Sequence, residues 1–288
     1  MLSRRWKLAF LAPLAFILAV FLIGPALFGL AASFTNYEPF QKINLQFVGI
    51  ENYSRVIQDS DFQASVRNVA ILTIGSVLAE LSLGVAIAYA LREPFRGRNL
   101  LRLVLLIPWL VSPVANGVMW HFIFDTEKGI VNYWPALLGL PRPPSPLSSG
   151  LALITMIGVE VWRTTPLVSF LVLPGLLGIP RAQWDQADIE GLPFILRIRH
   201  IVVPRLRLLL LTITLLLVGN ALGTSESVLI LTGGGPGSET ITPGLYSYRQ
   251  ATQAFDWQAG ATSAWLIAGA ILIVGALYVT QFQREANR

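Results

Sequence analysis

The sequence contains no cysteine and only two histidines, His121 and His200. Disulfides and thiolate-held metals are thereby excluded. Neither histidine belongs to an H-E-x-x-H pair or a carboxylate–histidine cluster, so the residue set of a catalytic zinc is missing. The phosphate-cradling spacing G-x-x-x-x-G-K-[ST] is also missing. Gly233-Gly234-Gly235-Pro236-Gly237 is a permissive turn without it, so nucleotide hydrolysis has to come from a partner. Charge is scarce as well, at 13% of 288 residues. A water-soluble domain carries about 25%, so too little charge is present to cover a fully solvated surface.

What takes its place is apolar sequence, 54% of the chain. It is gathered in six runs at 8–33, 69–91, 103–124, 151–177, 206–231 and 260–282. Each is long enough to cross a hydrocarbon core of about 30 Å. Lipid offers no partners to backbone N–H and C=O groups, so each run is expected to be a helix. Pro13, Pro25, Pro108, Pro113, Pro166 and Pro174 lie inside them and are expected to mark kinks. The first run follows Arg4, Arg5 and Lys7. At about 26 residues it exceeds the roughly 7–15 of a signal peptide and reads as a retained helix.

The basic residues orient the chain. With the N-terminus in the cytoplasm, segments 1–7, 92–102, 178–205 and 283–288 with Arg207 hold 14 of the 21 Lys and Arg. Lys42, Arg55, Arg67, Lys128, Arg142 and Arg249 fall outside, and Arg163 lies within a run. This asymmetry is the positive-inside pattern, so the pI near 9.8 reflects topology and no nucleic-acid partner is expected. The fold class expected is an all-α membrane protein of six transmembrane helices with both termini cytoplasmic. Residues 1–65 hold the first helix and first outside loop, and 66–288 the other five helices.

The loop between the fourth and fifth runs is unusual for a membrane protein. Pro180 suits a first helical turn, Gly191 a left-handed C-cap, and Pro193 the opening of a second helix. Over 179–204 this describes a helix–turn–helix elbow shaped to dock in a partner's groove. The same residues resemble the E-A-A-three residues-G coupling loop of type I ABC importer permeases. Asp185, Gln186 and Ala187 stand at the E-A-A positions, Gly191 at the glycine, and Val203-Pro204 at the closing pair. Asp185 departs from the usual Glu and Gln186 from the first Ala. Ser33-Phe34-Thr35, Phe47 to Tyr53, Ile107-Pro108-Trp109 through Trp120, Phe124, Gly129 to Asn132 and Leu231 to Pro236 are similar to the carbohydrate-importing branch, the maltose and glycerol-phosphate type.

The resemblance implies one permease subunit of a binding-protein-dependent importer of a sugar-like solute, in the plasma (inner) membrane of a prokaryote. It implies a second homologous permease, two cytoplasmic ATP-binding subunits and an external solute-binding protein as partners. No cofactor is expected on this chain, ATP and magnesium being used by the ATPase, and no catalytic site or metal site is expected.

Ionisable groups inside apolar runs are costly and point to function. Glu160 and Arg163, three residues apart, can pair on one helix face. That pair reads as structural, or with Arg163 also touching solute or a gate. The resemblance directs attention to Arg163, Thr164 and the stretch around Asn220. On a continuous fifth helix Asn220 and Glu226 stand about 120° apart, so they need not line one cavity. Asn116 is a further pathway candidate, Glu226 a gate or packing residue, and Glu80 a subunit-interface or interhelical hydrogen-bonding one. Trp109, Trp120 and Trp162 are candidate sugar-facing rings, or interface anchors. The alternative class is an ion-gradient-driven carrier with Glu80 or Glu226 moving protons. It predicts inverted repeats and discontinuous helices, and the sequence shows no such repeat.

Overall fold

The computed structural model describes residues 12–39, 46–141 and 143–286, with side chains described to Gln283. Arg4, Arg5, Lys7, Lys42, Arg142 and Arg288 of the charge pattern, and the start of the first apolar run, lie outside these residues. Among the described residues there is no strand, only an isolated bridge between Thr35 and Phe47. The helices are α1 (Ala12–Ser33), α2 (Glu51–Gln58), α3 (Ser60–Ala90), α4 (Arg98–Leu110), α5 (Pro113–Phe124) and α6 (Ile130–Leu137). They continue with α7 (Ala152–Leu177), α8 (Arg181–Ile189), α9 (Phe194–Gly223), α10 (Glu226–Leu231), α11 (Pro243–Thr252) and α12 (Trp257–Ala286).

Five of these, α1, α3, α7, α9 and α12, are long and apolar enough to span a membrane singly. The third apolar run departs from expectation. It is not one helix but α4 and α5, bent by 94°. Val111 and Ser112 are extended, as the position before a proline favours. The Ser112 hydroxyl then accepts from the Ala115 N–H at 3.3 Å, and Pro113 opens α5 where no amide donor is needed. The count of six spans therefore holds only with this bent pair taken as one. The fifth run is broken too: Thr224 is extended after Gly223, and α10 starts afresh at Glu226. Of the proline kinks, Pro25 follows a π-type turn at Ala19–Ile23, while Pro166 and Pro174 stay inside α7.

The chain divides into two compact units. One comprises 1–63 with 246–269. In it the buried Asn52 amide donates to the carbonyls of Ser33 and Thr35 at 3.0 Å, and Arg55 pairs with Asp256 at 3.1 Å. Asp59 caps the start of α3 by accepting from the Asp61 and Phe62 amides. The other unit comprises 64–245 with 270–288. Its apolar core joins Val77, Val85, Ala88 and Leu91 of α3 to Val168, Val172 and Leu176 of α7 and to Val202, Leu206 and Ile213 of α9. A Cβ on Gly84 would stand 2.4 Å from Val168 Cγ1, so only glycine permits this approach of α3 to α7. Small residues at such crossings supply the packing that lipid cannot drive by hydrophobicity.

Candidate functional site

The elbow 179–204 is built by local turn chemistry. Helix α8 ends in a Schellman closure: the Leu192 N–H donates to Ala187 O at 2.9 Å and the Gly191 N–H to Asp188 O at 3.1 Å. Gly191 sits at φ +64°, a region that L side chains disfavour. Pro193 then caps α9, accepting from Leu196 and Arg197 at 3.0 and 3.1 Å. Arg197 ties the two arms together, donating from Nε to Leu192 O at 2.6 Å and from Nη1 to Asp188 at 2.5 Å.

One side of the elbow is packed and the other is free. Trp184 and Ala187 are buried. Tyr89 at the end of α3 meets Trp184 edge-on at 5.8 Å and Phe194 at 5.1 Å. The Arg92 guanidinium lies 3.8 Å over the Trp184 ring. Asp185, Gln186 and Pro204 are exposed, and Ile189 is 87% exposed, a large apolar side chain with no cover in this chain. Gln186 donates to Glu190 at 2.8 Å. Beside them a hollow of about 300 Å³ is lined by Gln183, Gln186, Ala187, Glu190, Leu192, His200, Ile201 and Arg205.

A second, polar site lies where α9 breaks. A cavity of about 290 Å³ is lined by Pro113, Arg163, Gly219, Asn220, Gly223 and 224–227. The break turns Glu226 toward the cavity that Asn220 also lines, so the 120° separation of a continuous helix does not apply. Arg163 is held by Glu160 at 2.9 Å, and the other Glu160 oxygen accepts from the Ser227 hydroxyl at 2.8 Å. Glu160 thus links α7 to α10 and stands behind the lining. Asn116 and Thr164 are buried outside the lining, and the Asn116 amide N and O and the Thr164 hydroxyl have no hydrogen-bond partner among the described residues. Trp120, one turn from Asn116, meets Trp162 edge-on at 5.4 Å, and its indole N–H has no partner among the described residues. Trp109 is exposed.

Sequence reasoning missed Ser227 as the third member of the buried pair, and Tyr89, Arg92 and Arg197 as supports of the elbow. Only Trp184 carried a signal, a large aromatic inside a polar loop.

The loop after α10 is clamped at Glu239, whose carboxylate accepts from the Ser149 hydroxyl and, at 2.8 Å, from the Gly150 N–H. The Ser149 bond first, and the Gly150 amide second, hold the Glu239 carboxyl below its ordinary value of 4.5. A depressed carboxyl stabilises the clamp fully above the ordinary value and loses that stabilisation as pH falls from there through the folded-state value. Hydrogen-exchange protection of the Gly150 amide is accordingly expected to fall across that acid window, and Glu239→Gln to abolish the pH dependence. Equal protection factors on both sides of the window would contradict the clamp.

Residues 80–286 match the family of binding-protein-dependent transport system inner membrane components. The chain belongs to that family. Among its curated relatives is the trehalose/maltose transport system permease protein MalF of Thermococcus litoralis, 32% identical over 70% of this chain and 68% of the relative. The sulfoquinovosyl glycerol transport system permease protein SmoG of Agrobacterium fabrum is 28% identical over 96% and 90% of the two chains. In fold the chain matches a subunit of a bacterial ABC transporter that imports the acidic polysaccharide alginate, with TM-score 0.81 at 19% identity over 98% and 96% of the chains. The ABC permease is thus a multi-pass membrane component of its transport system.

Proposed function

We propose that this permease carries a sugar-like solute inward, paired with a second homologous permease. Two cytoplasmic ATPase subunits each grip one elbow, and an external binding protein delivers the solute. Relatives named for trehalose/maltose and sulfoquinovosyl glycerol transport support the solute class. Asp185, Gln186, Ala187, Gly191 and Pro204 form the coupling loop in this reading, and both termini are cytoplasmic. The observation that carries it is the two-sided elbow. Its packed side is bound to Tyr89 of α3 and to Arg92 just beyond that helix, and its free side offers Asp185 and Ile189.

Mechanically, closure of the ATPases moves the elbows, and rigid attachment passes that displacement to α3, α7 and α9. The bundle then exchanges two arrangements, as packed helices do, and the polar cavity changes its access. Arg163, Asn220 and Glu226 face the solute, with Asn116, Glu160 and Thr164 beside that route. The chain performs no bond chemistry. ATP and its magnesium belong to the ATPase subunits.

Broken helices are also what a gradient-driven carrier uses, so the energy source separates the readings. Proteoliposomes holding the whole complex, binding protein and internal ATP should take up solute when a protonophore is added and stop when vanadate is added. Uptake that a protonophore abolishes at constant ATP would support the gradient-driven alternative instead.

A further inference from the structure

The cavity at the break of α9 is lined by one basic and one acidic side chain, Arg163 and Glu226. The two do not cancel. Arg163 is buried and spends two guanidinium nitrogens, Nε at 3.2 Å and Nη2 at 2.9 Å, on one oxygen of Glu160. It reaches the cavity as half of an ion pair and not as a free cation. Glu226 is exposed, and among the described residues its side chain has no ion pair or hydrogen bond. Glu80 of α3 stands within electrostatic reach of Glu160 and Arg163, and in either protonation state it adds no positive charge. The local balance therefore leaves Glu226 uncompensated.

The backbone adds to the same sign. Helix α9 ends at Gly223, and Gly219, Asn220 and Gly223 near that end line the cavity. A helix C-terminus presents carbonyl groups equivalent to about half a negative charge. The helix start that could offset it, that of α10, is taken by Glu226 itself, so a carboxylate of the chain stands where an anion would otherwise be drawn. Besides the two charged residues the polar wall is uncharged: the Asn220 amide and the hydroxyls of Thr224, Ser225 and Ser227. Carboxylate and amide oxygens accept from the O–H groups of a polyhydroxylated molecule. A phosphate, sulfonate or carboxylate brings a second charge of the same sign instead.

We infer that Glu226 makes this cavity reject anionic solutes, so that the permease carries an uncharged or amine-bearing sugar and not a sugar phosphate, sulfonate or uronate. The inference rests on the proposed use of the cavity as the solute route, and it narrows the sugar-like class assigned there. A carboxylate about 6 Å away in a hydrated cavity changes the local concentration of a unit charge about threefold, upward for a cation and downward for an anion. The two together give about a tenfold preference.

The test uses the intact transporter with a thiol placed in the cavity, the chain having no cysteine of its own. In Asn220→Cys, modification of this subunit by a cationic and by an anionic methanethiosulfonate is followed by mass spectrometry, each rate divided by that of a free thiol in solution. The ratio should favour the cation at least tenfold, fall about tenfold in N220C/E226Q, and hold in N220C/E226D. If the Asn220→Cys complex does not assemble, Thr224→Cys takes its place. A ratio that E226Q leaves unchanged, or one that favours the anion, would overturn the inference while the solute route stands. Modification by neither reagent throughout the ATP cycle would refute the route, and the inference with it. The solute released from the complex's own binding protein, identified by mass spectrometry, should carry no acidic group. An anionic solute there would overturn the inference whatever the ratio, and if none is released the ratio decides.

Discussion

Replacing Gly191 with valine is expected to reduce ATP-driven uptake at least tenfold while the chain still inserts. No atom stands within 4 Å of a Cβ at this position, so the effect is conformational and not steric crowding. At φ +64° an L residue pays about 1–2 kcal/mol, more when β-branched. That is enough to open the Schellman closure in a large share of molecules, since about 1.4 kcal/mol is tenfold. With the closure goes the angle between α8 and α9, and hence the placement of Asp185 and Ile189 against the ATPase subunit that the proposed function assigns to the elbow. Gly191→Asn, which tolerates the left-handed region better, should keep a larger part of the activity. Uptake by reconstituted vesicles, read beside retention of the ATPase on the purified complex, checks both variants. Wild-type transport by the valine variant would refute the coupling role.

The second large effect concerns Glu160 and Arg163. Removing one member, as in Arg163→Met, leaves the buried Glu160 with only the Ser227 hydroxyl. Breaking a buried pair from one side costs about 3–5 kcal/mol, because an uncompensated charge remains. The double variant E160Q/R163M has no charge to strand, and its thermal stability should return most of the way to wild type. Its uptake should not return, because the cavity wall has lost the Arg163 guanidinium beside Asn220 and Glu226. Melting of the purified complexes in detergent and uptake after reconstitution give the two readouts. Equal destabilisation of the single and double variants would mean that a stranded Glu160 charge is not the source of the loss.

These two sites differ in how far they could be read from the sequence. The elbow was legible because its determinants are local. A glycine at a left-handed position and prolines opening both helices act within a few residues of themselves. The i,i+3 pairing of Glu160 with Arg163 was legible for the same reason. The breaks in the third and fifth apolar runs were not, although Ser112-Pro113 and Gly223-Thr224-Ser225 carry the turn chemistry. Apolar residues flank them on both sides, and length and hydropathy average across such interruptions. Partners distant along the chain left no trace: Ser227 meets Glu160 from 67 residues away, and Arg92 covers Trp184 across the four intervening helices α4 to α7.

The absence of cysteine permits a direct test of the docking account. In the Ile189→Cys variant the new thiol is the only one in this subunit, and it lies at the most uncovered apolar position of the elbow. Labelled with a maleimide benzophenone and illuminated in membranes containing the assembled complex, it should cross-link to the ATPase subunit in high yield. The same label at the outward-loop position Lys128→Cys should give no such product. An assembled, transport-active complex whose position-189 probe yields no ATPase adduct would contradict the account.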